Sequence, residues 1–161
     1  MVTLRPILQS DLERMLDILT SEKVNKTYML PDFKQRQDAT PLFERLMNMS
    51  QGQEKFVRAI DLEGGLIGFM NQVEVENGTI ELGYVIHPEF HGKGYMTQAL
   101  LLAFPELFHL GYEEVITGAF SGNAASIRVM EKCGMTKLSK SDEIDYRGHI
   151  HTCVYYQKTQ E

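Results

Sequence analysis

Apolar positions change their spacing several times along the chain, and each change marks an element. Leu12, Met15, Leu16 and Leu19 recur three and four residues apart. That spacing predicts an amphipathic helix running to about Thr20, with Ser10 as its N-cap and Glu13 closing a capping box. Thr3 to Pro6 reads as a short strand ahead of it. Leu42, Phe43, Leu46 and Met49 predict a second helix over Asp38 to Met49. From Lys55 the period shortens toward two, which predicts strands at Phe56 to Ile60, Leu66 to Glu74 and Thr79 to Ile86. Turns fall at Asp61 to Gly65 and at Asn77-Gly78, the latter a strong two-residue hairpin signal, so these strands form an antiparallel meander. A glycine-rich turn follows, then an apolar helix over Tyr95 to His109, a strand at Glu114 to Phe120 and a helix at Asn123 to Cys133. The last strands are expected at Thr136 to Ile144 and His149 to Gln157. Pro105 lies inside the long helix, where it removes one hydrogen bond and is expected to kink or interrupt it. The order βααβββαβαββ implies an α/β fold, a mixed sheet with helices on both faces.

No repeat or linker-like run divides the 161 residues, so one domain over 1–161 is expected. Its 43% hydrophobic and 24% charged residues suit a globular chain with a real core. The net charge of −6 argues against gripping a phosphate backbone, so no nucleic-acid partner is expected; a cationic or amine partner fits better. The longest apolar run, Ala99 to Phe104, is far short of a membrane span, and Met-Val-Thr-Leu-Arg-Pro has no apolar leader segment. A cytoplasmic protein without a membrane partner is therefore expected, with Cys133 and Cys153 as free thiols.

The chemistry concentrates in Gly83-Tyr-Val-Ile-His-Pro-Glu-Phe-His-Gly-Lys-Gly-Tyr-Met96. A strand runs into a turn with two glycines and opens a helix, so backbone N–H groups and a helix N-terminus converge where an anion can bind. Lys93 adds a positive charge. The spacing is neither that of a Walker loop nor that of a dinucleotide fingerprint, since Thr97 occupies the third glycine position of the latter. An ordinary strand-to-helix turn and a nucleotide-phosphate site are the competing readings.

This segment resembles the acyl-coenzyme A pyrophosphate loop of the GNAT superfamily of N-acetyltransferases, Q/R-x-x-G-x-G/A. His91 stands at the Gln/Arg position, Gly94 at the central glycine and Met96 at the small residue. Thr97-Gln-Ala-Leu100 continues as the family does, and Asn123-Ala-Ala-Ser126 through Gly134-Met135 is similar to the family's second cofactor segment. The ending Tyr146-Arg-Gly148 with Val154-Tyr-Tyr156 resembles the branch that includes the ribosomal-protein alanine acetyltransferases. The resemblance implies a mostly antiparallel twisted sheet in which a splayed parallel strand pair, Thr79 to Ile86 and Glu114 to Phe120, forms the acyl-CoA cleft. It implies acetyl transfer from acetyl-CoA, with no metal, to a primary amine of a small molecule or peptide, by direct attack in a ternary complex. Monomers and homodimers both occur in the family.

By the same resemblance the backbone N–H of Val85 or Ile86 stabilises the oxyanion, while His91, Gly92, Lys93, Gly94, Tyr95 and Met96 form the pyrophosphate loop. Asn123 touches the pantetheine arm and Ser126 the sulfur region; Asn is also a favoured N-cap on its own account. Glu81 shares a strand face with Gly83 and Val85, which makes it the candidate general base, against the plainer reading of a strand carboxylate paired with a cation. His151 is the second candidate base. Met130 occupies the position where many family members carry a proton-donating tyrosine, so solvent, Ser126, Tyr155 or Tyr156 must protonate the leaving thiolate. His149, His151 and Cys153 share one strand face, but same-face neighbours lie roughly 6.5–7 Å apart and seldom converge on one metal. A non-catalytic acyl-CoA-binding sensor is the alternative to an enzyme.

Overall fold

The fold was described from a computed structural model, which covers residues 1–52 and 54–160. Seven strands follow the order β1-β2-β3-β4-β5-β7-β6. They are β1 (Val2–Arg5), β2 (Val57–Leu62), β3 (Gly65–Glu76), β4 (Thr79–Ile86), β5 (Glu114–Phe120), β6 (Thr136–Tyr146) and β7 (His149–Thr159). The helices are α1 (Leu12–Leu19), α2 (Glu22–Asn25), α3 (Thr40–Gly52), α4 (Tyr95–His109) and α5 (Ala124–Lys132). The sheet is mixed: β1/β2, β2/β3, β5/β7 and β6/β7 pair antiparallel, and β4/β5 parallel. The α/β class and its parallel strand pair agree with the sequence reading. The chain divides into two compact units, one of residues 1–72 and 84–95, the other of 73–83 and 96–161.

In the first unit α1 turns its apolar stripe inward, burying Met15, Leu16, Ile18 and Leu19 with Phe43 and Leu46 of α3 and Val57, Ala59 and Phe69 of the sheet. The expected Ser10 cap is replaced by a 3-10 turn at Gln9–Asp11. Asp11 caps that turn instead, its carboxylate accepting from the Leu8 N–H at 2.8 Å. Arg5 fixes it there with two bonds of 2.8 and 3.0 Å and spends its Nε on Asp61 at 2.8 Å. An aspartate gripped in this way out-competes a serine one residue earlier. The second predicted helix starts later, at Thr40, because a 3-10 turn occupies Arg36–Ala39, and it runs past Met49 to Gly52. The one-turn α2, capped by Ser21, is an addition to the expected order.

Two features tie the segments of this unit together. Ser50 is buried and bridges chain segments, accepting from the Ile7 N–H at 2.9 Å and donating to the Val57 carbonyl at 2.8 Å. Gly68 lies so near the end of β4 that a Cβ there would stand 2.2 Å from the Val85 carbonyl oxygen. Only glycine permits that approach.

In the second unit the Asn77-Gly78 turn takes positive φ at both residues, 50° and 80°, as a two-residue hairpin turn requires. Strands β4 and β5 and helix α4 have the expected bounds. Pro105 sits inside α4 without interrupting it; the carbonyl four residues back belongs to the exposed Leu101, where water can satisfy it. Helix α5 runs between an Asn123 N-cap and a Cys133 C-cap. Strands β6 and β7 each extend two residues beyond the predicted ends. Their tight turn has positive φ at Arg147 and Gly148, 54° and 78°. Register then holds from Tyr146↔His149 to Ser141↔Val154 and shifts before Lys137↔Tyr156, so Leu138, Ser139 and Lys140 bulge opposite Tyr155.

Candidate active site

The glycine turn belongs to the first unit. At its start the His87 N–H donates to the Ile67 carbonyl at 2.7 Å, anchoring the end of β4, where Val85 and Ile86 are buried. The His87 ring accepts from the Glu89 N–H at 3.1 Å through Nδ1, which rounds off the Pro88–Phe90 3-10 turn. His91 then reaches back, its Nε2 2.7 Å from the Ile86 carbonyl oxygen, so this side chain braces the turn against the strand. Gly92 and Gly94 follow with φ of 74° and 81°, and a Cβ at either would meet nothing within 4 Å. Their requirement is conformational, and the space above them is open. Left-handed glycines in such a turn can turn successive N–H groups to one side, and α4 begins directly after it at Tyr95, where the first turn of a helix leaves further N–H groups without intrahelical partners. Lys93 and Arg14 both lie over the Phe90 ring, at 5.9 and 5.3 Å from its centroid. Arg14 is a second cation that sequence reading missed, since only the fold brings α1 to this aromatic ring.

The parallel ladder belongs to the second unit. It pairs Thr79–Leu82 with Glu114–Thr117, ends there, and both strands continue. Glu81, opposite Ile116, lies one residue before that end. It is half-buried, and burial pushes its carboxyl above the usual range; Glu74 and Asp142 push the same way and Lys140 opposes them. Tyr155 is level with Gly118, just past the end of the ladder. Its ring fills the room that Gly118 leaves, where a Cβ would stand 2.9 Å from Cε1. The Tyr155 hydroxyl donates to Asp142 at 2.8 Å, while Lys140 Nζ rests 4.6 Å from the ring centroid. Burial first, and the bond to Asp142 next, hold the Tyr155 proton in place by raising its pKa. Asp142 and Lys140 were not singled out from the sequence. Counting register back from the Arg147-Gly148 turn sets Asp142 opposite Cys153, so that half was legible; the bulge that carries Lys140 was not.

On the other face of β5, Thr117 is fully buried and donates to Met130 Sδ at 2.7 Å. Met130 is thus a core side chain. Asn123 accepts from the Ser126 N–H at 3.2 Å, so its capping role is realised. Met96, also in this unit, is buried in the second residue of α4. His151 stacks on Phe120 at 4.3 Å with planes 14° apart. Phe120 and Ile116, the partner of Glu81, lie about 13 Å apart along β5, so the two candidate bases do not meet. Among the described residues no group of three His, Cys, Asp or Glu side chains could hold a metal ion. Both cysteines are free, and among the described residues no helix is long and apolar enough to cross a membrane.

Comparison with known proteins adds a frame to these geometries. A family model described as "Acetyltransferase (GNAT) domain" matches residues 1–136. The chain is 25% identical over 107 residues to the SPbeta prophage-derived uncharacterized N-acetyltransferase YokL of Bacillus subtilis (strain 168). That match takes in 64% of this chain and 60% of the relative, so the chain spans about three fifths of the relative's length. Among solved structures, an acetyltransferase (GNAT family) from Bacillus anthracis superposes with a TM-score of 0.84 at 22% identity, covering 98% of this chain and 94% of the other. Spermidine N-acetyltransferase from Vibrio cholerae, in complex with CoA and spermine, superposes with a TM-score of 0.82 at 17% identity, covering 99% and 95%. At such identities the structural likeness shows the fold.

Proposed function

The chain belongs to the GNAT acetyltransferase family, and from that premise we propose that it transfers the acetyl group of acetyl-CoA to a primary amine by direct attack in a ternary complex. The observation that carries the reading is the turn at Gly92-Lys93-Gly94, whose left-handed glycines stand in open space at the start of α4, an arrangement suited to presenting backbone N–H groups to an anion. On this reading Gly92, Lys93, Gly94, Tyr95 and the first turn at Met96 hold the pyrophosphate, while His91 keeps the turn in shape. The N–H of Val85 or Ile86 receives the developing oxyanion, and Asn123 and Ser126 line the pantetheine arm. On this reading the chain works as a single domain, in the reducing cytoplasm that free Cys133 and Cys153 suit.

Glu81 takes the proton that the amine gives up, through a water, as the nitrogen attacks the thioester carbon. The N–C bond forms, the C–S bond breaks, and the CoA thiolate leaves. Met130 has no proton to give, and the Tyr155 hydroxyl is engaged by Asp142. That leaves solvent, Ser126 or Tyr156 to protonate the thiolate, and solvent suffices for a thiol of intrinsic pKa about 8.5. Burial raises the Glu81 carboxyl above the usual range, which makes its carboxylate a stronger base than an exposed one.

The test is thiol release from acetyl-CoA in the presence of a panel of peptide and small-molecule primary amines, with wild type and Glu81→Gln. Amine-stimulated release is expected, reduced about 10²- to 10⁴-fold in the variant. Binding of acetyl-CoA without any amine-stimulated release would make the chain a sensor module. Unchanged turnover of the variant across pH would remove Glu81 from the mechanism, and protection by ATP equal to that by CoA would point to a general nucleotide-phosphate site.

A further inference from the structure

The 3-10 turn at Pro88–Phe90, which leads into Gly92, lies between two histidines whose ring hydrogen bonds run in opposite directions. A backbone carbonyl can only accept, so the His91 Nε2 that stands 2.7 Å from the Ile86 carbonyl oxygen carries a proton and donates. A backbone N–H can only donate, so the His87 Nδ1 that stands 3.1 Å from the Glu89 nitrogen is bare and accepts. The neutral His87 ring therefore keeps its proton on Nε2, which faces Asp17 Oδ2 at 3.6 Å. Asp17 is itself held, because Arg36 donates to its other oxygen at 2.7 Å while also gripping the Glu13 carboxylate at 2.7 Å. All of these groups belong to the first unit.

The buried His87 ring is the N-cap of that 3-10 turn, and contacts carry its position onward to the glycines. The Phe90 N–H donates to the His87 carbonyl at 2.9 Å, and the Phe90 ring meets the His87 ring edge-on at 6.0 Å. Phe90 in turn stands 6.3 Å from the Tyr95 ring at the start of α4, with Arg14 and Lys93 over it. The charged and titratable groups around His87 are Asp17, Arg14 and Glu13 from α1, Arg36 from the turn before α3, and Glu89, His91 and Lys93 from its own loop. Strand β3 presents the Ile67 carbonyl, and Leu66 to Gly68 carry no charge. A proton added to His87 lands on Nδ1 and sets N–H against N–H at Glu89, whereas the contact of Nε2 with Asp17 is kept. His91 donates in both of its protonation states, so its bond to Ile86 survives acid.

We propose that His87 is a proton-sensitive positioning residue for the glycine turn: neutral, it caps the turn and holds it ready for acyl-CoA, and on taking up a proton at Nδ1 it releases the Glu89 N–H and weakens the hold on the pyrophosphate. The proposal rests on the reading of that turn as the acyl-CoA pyrophosphate loop. Affinity is full while the ring is neutral and falls as the pH drops through the midpoint of the ring. Loss of a typical N-cap bond changes an equilibrium about fivefold, so protonation of the ring raises the Kd for acetyl-CoA about fivefold. His87→Asn supplies an amide oxygen, a favoured N-cap acceptor that takes up no proton, and so keeps the cap while removing its acid sensitivity. His87→Leu has neither property, and its Kd lies about fivefold above that of wild type at high pH.

The experiment is a nitrogen-15 NMR titration of the His87 ring and the Glu89 amide in the ligand-free protein, assigned with His87→Asn, alongside calorimetric Kd values for acetyl-CoA against pH in wild type and both variants. Titration of His91 and of the ligand's own phosphates is common to all, so the ratio of wild type to His87→Asn isolates His87. An Nε2–H tautomer in the neutral ring, a Glu89 amide that moves with the midpoint of the ring, and a Kd ratio that rises about fivefold on acidification through that midpoint support the proposal. An Nδ1–H tautomer, a Glu89 amide indifferent to the ring, or a ratio that stays flat with pH overturns it, whether or not His87→Leu folds. The ring and amide are read without ligand. A protein that shows the expected tautomer and coupling but binds no acetyl-CoA therefore overturns the reading of the turn as a pyrophosphate loop, and the cap stands.

Discussion

Replacing Gly68 with alanine is expected to damage stability and acetyl transfer together, and the size of the effect follows from one contact. The added Cβ would sit 2.2 Å from the Val85 carbonyl oxygen, well inside the 3.0 Å that such contacts respect, with the Ile86 Cα at 3.1 Å. Both are backbone atoms of β4, so no side-chain rotation relieves the clash and the strands must part by nearly 1 Å. Overpacking of this kind costs about 1–3 kcal/mol, and a backbone obstruction places Gly68→Ala at about 3 kcal/mol. For a chain of this size that is a fall in Tm of about 6–12 °C. Gly65→Ala, in the same strand as Gly68, is the control, because its nearest neighbour is the Leu62 carbonyl oxygen of β2 at an ordinary 3.8 Å; its cost should stay below about 1 kcal/mol. Urea unfolding of both variants measures the difference. The displaced segment is also the one whose N–H groups are proposed to meet the oxyanion. An error of about 1 Å there is expected to lower kcat/KM about 100-fold at temperatures where the variant is still folded. If Gly68→Ala unfolds within about 0.5 kcal/mol of Gly65→Ala, the steric reasoning is wrong.

Gly94→Ala introduces a side chain at φ 81° in open space. The left-handed conformation alone should cost about 1–2 kcal/mol, and calorimetric titration should show weaker acetyl-CoA binding than in wild type. Ser50→Ala removes the bridge between the Ile7 N–H and the Val57 carbonyl; the carbonyl keeps a bond from Arg58, but leaving the Ile7 N–H without its partner should cost about 1–3 kcal/mol in urea unfolding. Burial works against ionised Asp61, but Arg5 and the Gly64 N–H outweigh it and hold its carboxyl below the usual value. A carboxylate lowered in this way stabilises the fold above its unfolded pKa of about 3.9, and that contribution is lost as the pH falls through the folded value. Asp61→Asn should therefore cost about 1–2 kcal/mol at pH 7, with the deficit closing below about pH 4 in stability measured against pH.

Much of the fold was legible because local chemistry and tertiary packing agree. The bounds of β4, α4 and β5 follow directly from the Asn77-Gly78 turn, the glycine turn and the change from period two to helical spacing. The start of α1 was misread because capping there is decided by Arg5, which is distant from Glu13 in the pattern but grips Asp11 in the fold. Pro105 looked like a break because a sequence cannot show whether the carbonyl it frees faces water. The glycine turn was legible as an anion cradle, yet the inward reach of His91 to the Ile86 carbonyl was not, since a motif position carries no side-chain direction. The charges around Tyr155 were the least readable part. Asp142 and Lys140 arrive on another strand, and the three-residue bulge opposite Tyr155 has no glycine or proline to announce it.

The most direct test of the account is to quantify two products of one reaction mixture, free CoA thiol by a colorimetric reagent and N-acetylated amine by mass spectrometry, with the intact mass of the protein recorded beside them. Direct transfer predicts one acetylated amine for each thiol released, and a protein mass unchanged by acetyl-CoA in the absence of acceptor. Thiol release without acetylated amine, or an acetylated chain that accumulates when the amine is withheld, would contradict it.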